Sequence, residues 1–281
     1  MEVERRNGGK EKTMDKTKID WCDMSWNPIT GCKHGCEYCY ARRMAERFGG
    51  YDDDKGGITT RNPLRRAELH EPLTVTRKGK TANAPYPFGF EPTFHYYRLG
   101  EPARKTRPRN IFVGSMADIF GKWVPAKWIA EVLDACEKAP QHNYLFLTKN
   151  PKRYIELDSI ALLPRAENVW YGSTVTGPDM PLFCSEHHKT FLSIEPLLNR
   201  MGDTSTSLRG IDWVIIGAMT GPGSEKHRPA RAWVEEIVEQ CRRKNIPVFM
   251  KSNLAPVWGD ELLREFPPEL EKGQKGGRND V

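Results

Sequence analysis

The sequence predicts an α/β protein built as a full or partial (β/α) barrel, and two observations carry that prediction. From Asn110 onward, short apolar runs recur: "NIFVGSM", "NYLFLTK", "NVWYGSTV", "KTFLSIE", "DWVIIGA" and "PVFMKSN". Helical patterns separate several of them. "PAKWIAEVLDACEKAP" carries Ile129, Val132, Leu133 and Cys136 on one face, and "PARAWVEEIVEQCRRKN" carries Trp233, Ile237, Val238 and Cys241. Strands alternating with helices make βαβ units and a parallel sheet. A further strand near "KIDWCDMSW", with Cys22 inside it, brings the number to about seven, which suits a barrel.

The remaining elements follow in order. Residues 1–16 are charged, with no apolar stretch behind them, and read as a disordered leader; they are not a secretory signal. The barrel is expected over 17–255 and a C-terminal tail over 256–281. "YARRMAERF" after the first strand predicts an amphipathic helix with Met44 and Phe48 on its apolar face, closed by Gly49 and Gly50. Residues 50–109 are rich in Gly, Pro and charge and predict an irregular insertion after this first helix. Within it, "EPLTVTR" and "TFHYYRL" fit short strands.

Composition narrows the function classes. The chain has 281 residues, 38% of them hydrophobic. It has no apolar run of about 18 residues, so a membrane span is not expected. Seven cysteines, without an export signal, place the chain in a reducing cytoplasm, where clustered thiols argue for metal or catalysis over disulfides. The net charge of +6 permits a polyanionic partner.

Each apolar run ends on polar or small residues: Ser115 and Asp118, Thr148 and Lys149, Ser173 and Thr174, Ser193 and Glu195, Gly217 and Thr220, Lys251 and Ser252. Ligands of parallel α/β folds bind at the carboxyl ends of the strands, so one mouth of the barrel is the expected site.

Three cysteines, Cys32, Cys36 and Cys39, crowd into "GCKHGCEYC". Structural zinc takes four ligands, commonly from paired C-x2-4-C units. No second C-x2-C pair exists here, and the remaining candidates are Cys22, His34 or a distant group. An iron–sulfur cluster accounts for three thiolates and leaves one iron open. Both metals stay in play on the residues alone.

The spacing C-x3-C-x2-C resembles the signature of the radical S-adenosylmethionine (SAM) enzymes, and "CKHGCEYCYA" is similar to the cluster loop of the spore photoproduct lyases within them. "DMSWNPITGC", "IFVGSMADIF", "LTKNP" and "SIEPLL" resemble an uncharacterised phage-associated radical SAM family. The resemblance implies an enzyme of lyase or transferase class. It implies a barrel of the radical SAM type and a [4Fe–4S] cluster on Cys32, Cys36 and Cys39. SAM would be cleaved there to a 5′-deoxyadenosyl radical, with electrons from an external donor such as flavodoxin or ferredoxin. It also implies roles at matching positions. Tyr38 would pack near the adenine. Ser115 and Met116 stand where backbone carbonyls hold the SAM amino group, although the usual Gly-Gly-Glu stretch is missing. Asp118 would hold that amine or face the substrate. Ser173, Thr174 and Glu195 would meet the ribose and the methionyl group, and Lys149 or Lys251 the SAM carboxylate. Cys184, beside His187 and His188, would be a hydrogen donor.

The expected substrate is a nucleic-acid base. "RNPLRRAELH" and "RKGKTANAPYPFGF" interleave basic and aromatic residues, as polynucleotide surfaces do. A peptide or small-molecule substrate is the alternative within enzymes. A zinc-containing nucleic-acid-binding module is the alternative outside them.

Overall fold

A computed structural model describes residues 15–49, 67–77, 80–204, 208–221 and 223–274. Its centre is an eight-stranded sheet. Seven strands are parallel: β1 (Met24–Trp26), β2 (Asn110–Val113), β3 (Asn143–Thr148), β4 (Val169–Val175), β5 (Lys189–Ile194), β6 (Trp213–Ile216) and β7 (Val248–Met250). They lie side by side in chain order. Every crossover therefore winds the same way, and the sheet curls into a half-barrel instead of reversing as a doubly wound sheet does. The chain forms a partial (β/α) barrel. The strand expected around Cys22 begins only at Met24, and Cys22 itself is buried just before it.

Four connections carry helices on the outer face: α1 (Tyr40–Phe48), α2 (Ala126–Glu137), α3 (Lys152–Ser159) and α4 (Arg231–Arg243). On α2 the expected face is buried throughout. On α4, Ile237 and Cys241 are buried with Val234 and Gln240, while Trp233 and Val238 are only half-buried. On α1 the expectation fails. Ala41 and Ala45 are the buried residues, and Met44 and Phe48 remain 42% and 48% exposed. Small residues let this helix lie close to the fold, so its large apolar groups point away.

The inward positions explain why the half-barrel has a floor and a hollow. Side chains alternate along a strand. In the lower half, Leu145, Trp170, Phe191, Trp213 and Phe249 point inward and pack with Trp21 and Phe112. Gly172 faces the Phe191 ring, where a Cβ would lie 2.3 Å from Cζ. In the upper half the inward residues shrink to Gly114 and Ser193, and a cavity opens.

The segment expected as a tail is part of the fold through Gln274. Leu263–Glu265 runs along β7: Met250 N–H donates to the Leu263 carbonyl (2.7 Å) and Glu265 N–H to that of Val248 (3.1 Å). α5 (Pro268–Gln274) then crosses the amino ends of the strands, with Leu270 fully buried. The Asn110 and Asn143 side chains, at the starts of β2 and β3, donate to the carbonyls of Leu270 (2.7 Å) and Glu269 (3.1 Å).

The insertion is more regular than expected. Thr74–Arg77 pairs antiparallel with Lys80–Asn83. Thr93–His95 is the middle strand of a second sheet, between Ile29–Thr30 and Glu68–Leu69. Residues 50–66 lie outside the described residues, as does most of the expected leader. No helix among the described residues is long and apolar enough to cross a membrane.

Candidate functional site

The hollow at the carboxyl mouth is an open cavity of about 1150 Å³, counting its mouth. The cysteine loop forms one rim. It leaves the end of β1, and its entry is fixed by Gly31, whose φ of +88° only glycine adopts readily. A Cβ there would sit 2.3 Å from the Glu91 carbonyl oxygen, so the insertion packs directly on this turn. Cys32 N–H donates to the Phe90 carbonyl (3.1 Å) and Gly31 N–H to that of Met116 (2.9 Å). Cys39 caps α1, its Sγ accepting from Arg42 N–H at 3.4 Å.

Cys32, Cys36 and Cys39 are half-buried, and all three line the cavity. Burial pushes the Cys32 thiol up to about 12, so metal binding there must displace a proton. Among the described residues, no group of three or more His, Cys, Asp or Glu converges on a single metal ion. Three thiols spread over one loop suit a polynuclear cluster, in which each thiolate meets a different iron.

The opposite wall comes from later strand ends. Thr174 on β4, Ser193 on β5, Glu195 just beyond it and Lys251 after β7 face the cavity. The Lys251 ammonium donates to Glu195 Oε1. Ser193 Oγ is buried with no hydrogen-bond partner among the described residues. Ile19, Trp21, Phe112 and Leu147 form an apolar floor. The "GAMTGPG" turn contributes Ala218, Met219 and Thr220, and the Asn253 side chain holds Ala218 through both its N–H (3.0 Å) and its carbonyl (2.7 Å).

Asp118 lines the cavity and is held from several sides. Its Oδ1 accepts from Thr148 Oγ1 (2.7 Å) and Phe120 N–H (3.1 Å), and its Oδ2 from Lys149 N–H (2.9 Å) and His34 Nε2 (2.6 Å). Four donors engage the carboxylate, which leaves it an anchor between loops. Lys149 Nζ reaches the Tyr38 hydroxyl at 3.1 Å and lies 5.3 Å from the centre of that ring.

Three expected residues do not line the cavity. Ser173 points outward, by strand alternation with Thr174, and its hydroxyl accepts from Phe183 N–H at 2.9 Å. Met116 is buried. Its N–H donates to Asn27 Oδ1 (2.9 Å) and its carbonyl accepts from Gly31. Cys184 is exposed on the connection before β5, between Phe183, whose N–H bonds Ser173, and Ser185, whose N–H bonds the Gly210 carbonyl. Ser115 does line the cavity, but its carbonyl accepts from the Tyr40 hydroxyl at 2.7 Å and its hydroxyl donates to Asn27 Oδ1 at 3.2 Å.

A family model matches residues 16–265, which spans the cysteine loop, all seven parallel strands and the edge segment. The chain belongs to the family "Protein of unknown function (DUF5131)". No curated protein matches it. Solved structures of spore photoproduct lyase are similar at low identity. A mutant with bound AdoMet and dinucleoside spore photoproduct is 11% identical with a TM-score of 0.43, over 82% of this chain and 64% of that one. The lyase complexed with dinucleoside spore photoproduct is 11% identical with a TM-score of 0.44, over 93% and 75%. A further mutant is 10% identical with a TM-score of 0.44, over 95% and 76%. This DUF5131 chain thus spans less than two thirds of the first of these.

Sequence reasoning missed three residues of the DUF5131 site. Asn27 holds the Ser115–Met116 turn, and Tyr40 reaches the same turn from α1. His34, weighed only as a zinc ligand, bonds Asp118. No spacing rule signals a contact between positions 34 and 118.

Proposed function

We propose that this protein is a radical SAM enzyme acting on a nucleic-acid base. The observation that carries the reading is the convergence of three loop thiols and the polar strand ends of β4, β5 and β7 on one cavity with a sealed floor. Cys32, Cys36 and Cys39 would hold a [4Fe–4S] cluster. When bound, that group supplies the electron that cleaves SAM to methionine and a 5′-deoxyadenosyl radical.

The chain's own residues have binding and orienting work to do. Tyr38 offers the adenine a flat face, with its ring steadied by Lys149. Thr174 and Glu195 face the ribose hydroxyls, and Lys251 holds the Glu195 carboxylate in position. Lys149 stands near the loop for the SAM carboxylate. The apolar floor excludes water from below, which protects a reactive species from side reactions. A base stacked in a duplex cannot enter such a cavity, so the substrate is single-stranded or flipped.

The test has two arms. Anaerobically reconstituted protein is assayed for iron, sulfide and 5′-deoxyadenosine after reduction with SAM present. A stoichiometric zinc atom without iron overturns the reading. The second arm measures DNA and RNA binding at two salt concentrations. Neutralising Arg61, Arg65, Arg66, Arg77, Lys78 and Lys80 should flatten the salt slope, because each phosphate contact releases counterions. Of these, Arg61, Arg65, Arg66 and Lys78 lie outside the described residues, while Arg77 and Lys80 belong to the insertion's paired strands. No binding at low salt moves the substrate to a peptide or small molecule.

A further inference from the structure

We propose that His34 and Tyr38 form a two-point clamp on the Cys36 segment, anchored by Asp118 and Lys149, which sets the loop before any metal arrives. The two clamp residues stand on either side of Cys36. His34 Nε2 carries the proton and donates to Asp118 Oδ2 at 2.6 Å, since a carboxylate only accepts. The same ring packs edge-on against Trp123, 4.8 Å between centres. Tyr38 is held by the Lys149 ammonium through its hydroxyl and its ring.

The anchors are rigid and linked. Asp118 is 5% exposed and fixed by Thr148, Phe120 and the Lys149 backbone. Asp118 and Lys149 therefore meet at the ends of β2 and β3, and the circuit His34–Asp118–Lys149–Tyr38 closes on the loop. Between its ends the loop is otherwise tied by an exposed ion pair, Lys33 Nζ to a Glu91 carboxylate oxygen at 3.3 Å. Lys33, Gly35 and Glu37 are exposed, and Gly35 sits at φ +72°. Inside the segment, Cys39 N–H donates to the Cys36 carbonyl at 3.2 Å. Without the clamp such a loop opens locally at small cost. These are positioning residues, acting through Cys36.

The experiment uses full-length, metal-free protein. Alkylation of Cys36 by iodoacetamide is followed by mass spectrometry, with exposed Cys184 as internal control and circular dichroism reporting the fold. Losing a charge-assisted hydrogen bond raises the open population, so His34→Ala should react at Cys36 roughly tenfold faster. His34→Gln keeps a donor and should stay near the wild type. Lys149→Met should loosen the other end and speed the reaction too. After reconstitution, His34→Ala should broaden the electron paramagnetic resonance signal of the reduced protein relative to His34→Gln. An unchanged Cys36 rate in His34→Ala overturns the clamp. So does a His34→Gln rate equal to that of His34→Ala, which would mean that the hydrogen bond to Asp118 does not hold the loop. Only the reconstitution arm rests on the proposed cluster. If the wild type takes up no iron, that reading fails and the alkylation rates still decide the clamp.

Discussion

Lys251 and Glu195 pair across β6 directly above Gly217. A Cβ on Gly217 would lie 3.0 Å from Lys251 Cδ and 3.2 Å from Glu195 Cδ, so the glycine leaves room for an ion pair joining the ends of β5 and β7. The pair is about one-fifth to one-quarter exposed, and solvent screens part of its attraction. Glu195→Ala leaves an unpaired ammonium in the wall, and Lys251→Ala an unpaired carboxylate. The double variant should therefore be more stable than the two single losses summed, by about 1 kcal/mol in urea denaturation. Glu195→Ala should also weaken SAM binding measured by calorimetry while leaving the cluster absorbance intact. Normal SAM binding would remove Glu195 from the cofactor site.

The thiols divide by location. Cys→Ala at position 32, 36 or 39 should abolish iron uptake, because each would ligate a different iron. Cys136 and Cys241 are buried on the inner faces of α2 and α4, and Cys184 does not line the cavity, so their Ala variants should keep their iron. Iron per chain after anaerobic reconstitution checks this. Full iron in Cys36→Ala would count against the ligand set.

Trp213 shows what the floor contributes. It is fully buried, packs against Trp21, Phe191, Phe249 and Phe266, and donates its indole N–H to the Glu265 carbonyl at 2.9 Å. Trp213→Ala should destabilise the fold by about 3–5 kcal/mol through lost contacts and the cavity left behind. A loss below about 1 kcal/mol would mean that the floor is not part of the cooperative core.

The sequence made the barrel legible because each strand is a short apolar run ending on a polar residue, a pattern local to a few positions. Thr174, Glu195 and Lys251 could be placed at the mouth for the same reason. Ser173 was misplaced because a strand end marks the mouth but not the face, and one residue of phase turns a side chain from cavity to core. α1 misled because Met44 and Phe48 have helical spacing, yet close packing was reserved for Ala41 and Ala45. Residues 256–274 looked like a tail because α5 is charged on most sides and buries mainly Leu270. Contacts such as His34 with Asp118 join segments more than eighty positions apart, and only the assembled sheet brings them together.

The open side of the half-barrel is latched by Asp20. Its Oδ2 accepts from Ser252 N–H (2.8 Å), Ser252 Oγ (2.7 Å) and an Arg264 guanidinium N–H (2.9 Å). The segment before β1 is thereby joined to the end of β7 and to the strip along its edge. Burial alone would raise the Asp20 carboxyl, but the hydrogen bonds from Arg264 and Ser252 outweigh it and hold the group below the usual carboxylate range. A depressed folded pKa stabilises the fold above the unfolded value, near 4, and that stabilisation disappears as pH falls through the folded value. Asp20→Asn should then cost about 1 kcal/mol at pH 7, since both partners are partly exposed. The difference between variant and wild type should shrink steadily below about pH 4, as the wild-type carboxyl takes up its proton. Urea denaturation of both proteins from pH 7 to pH 3 measures the difference. A gap that stays constant over that range would show that the charge on Asp20 does not hold the latch, and that the contact acts through shape and neutral hydrogen bonds alone.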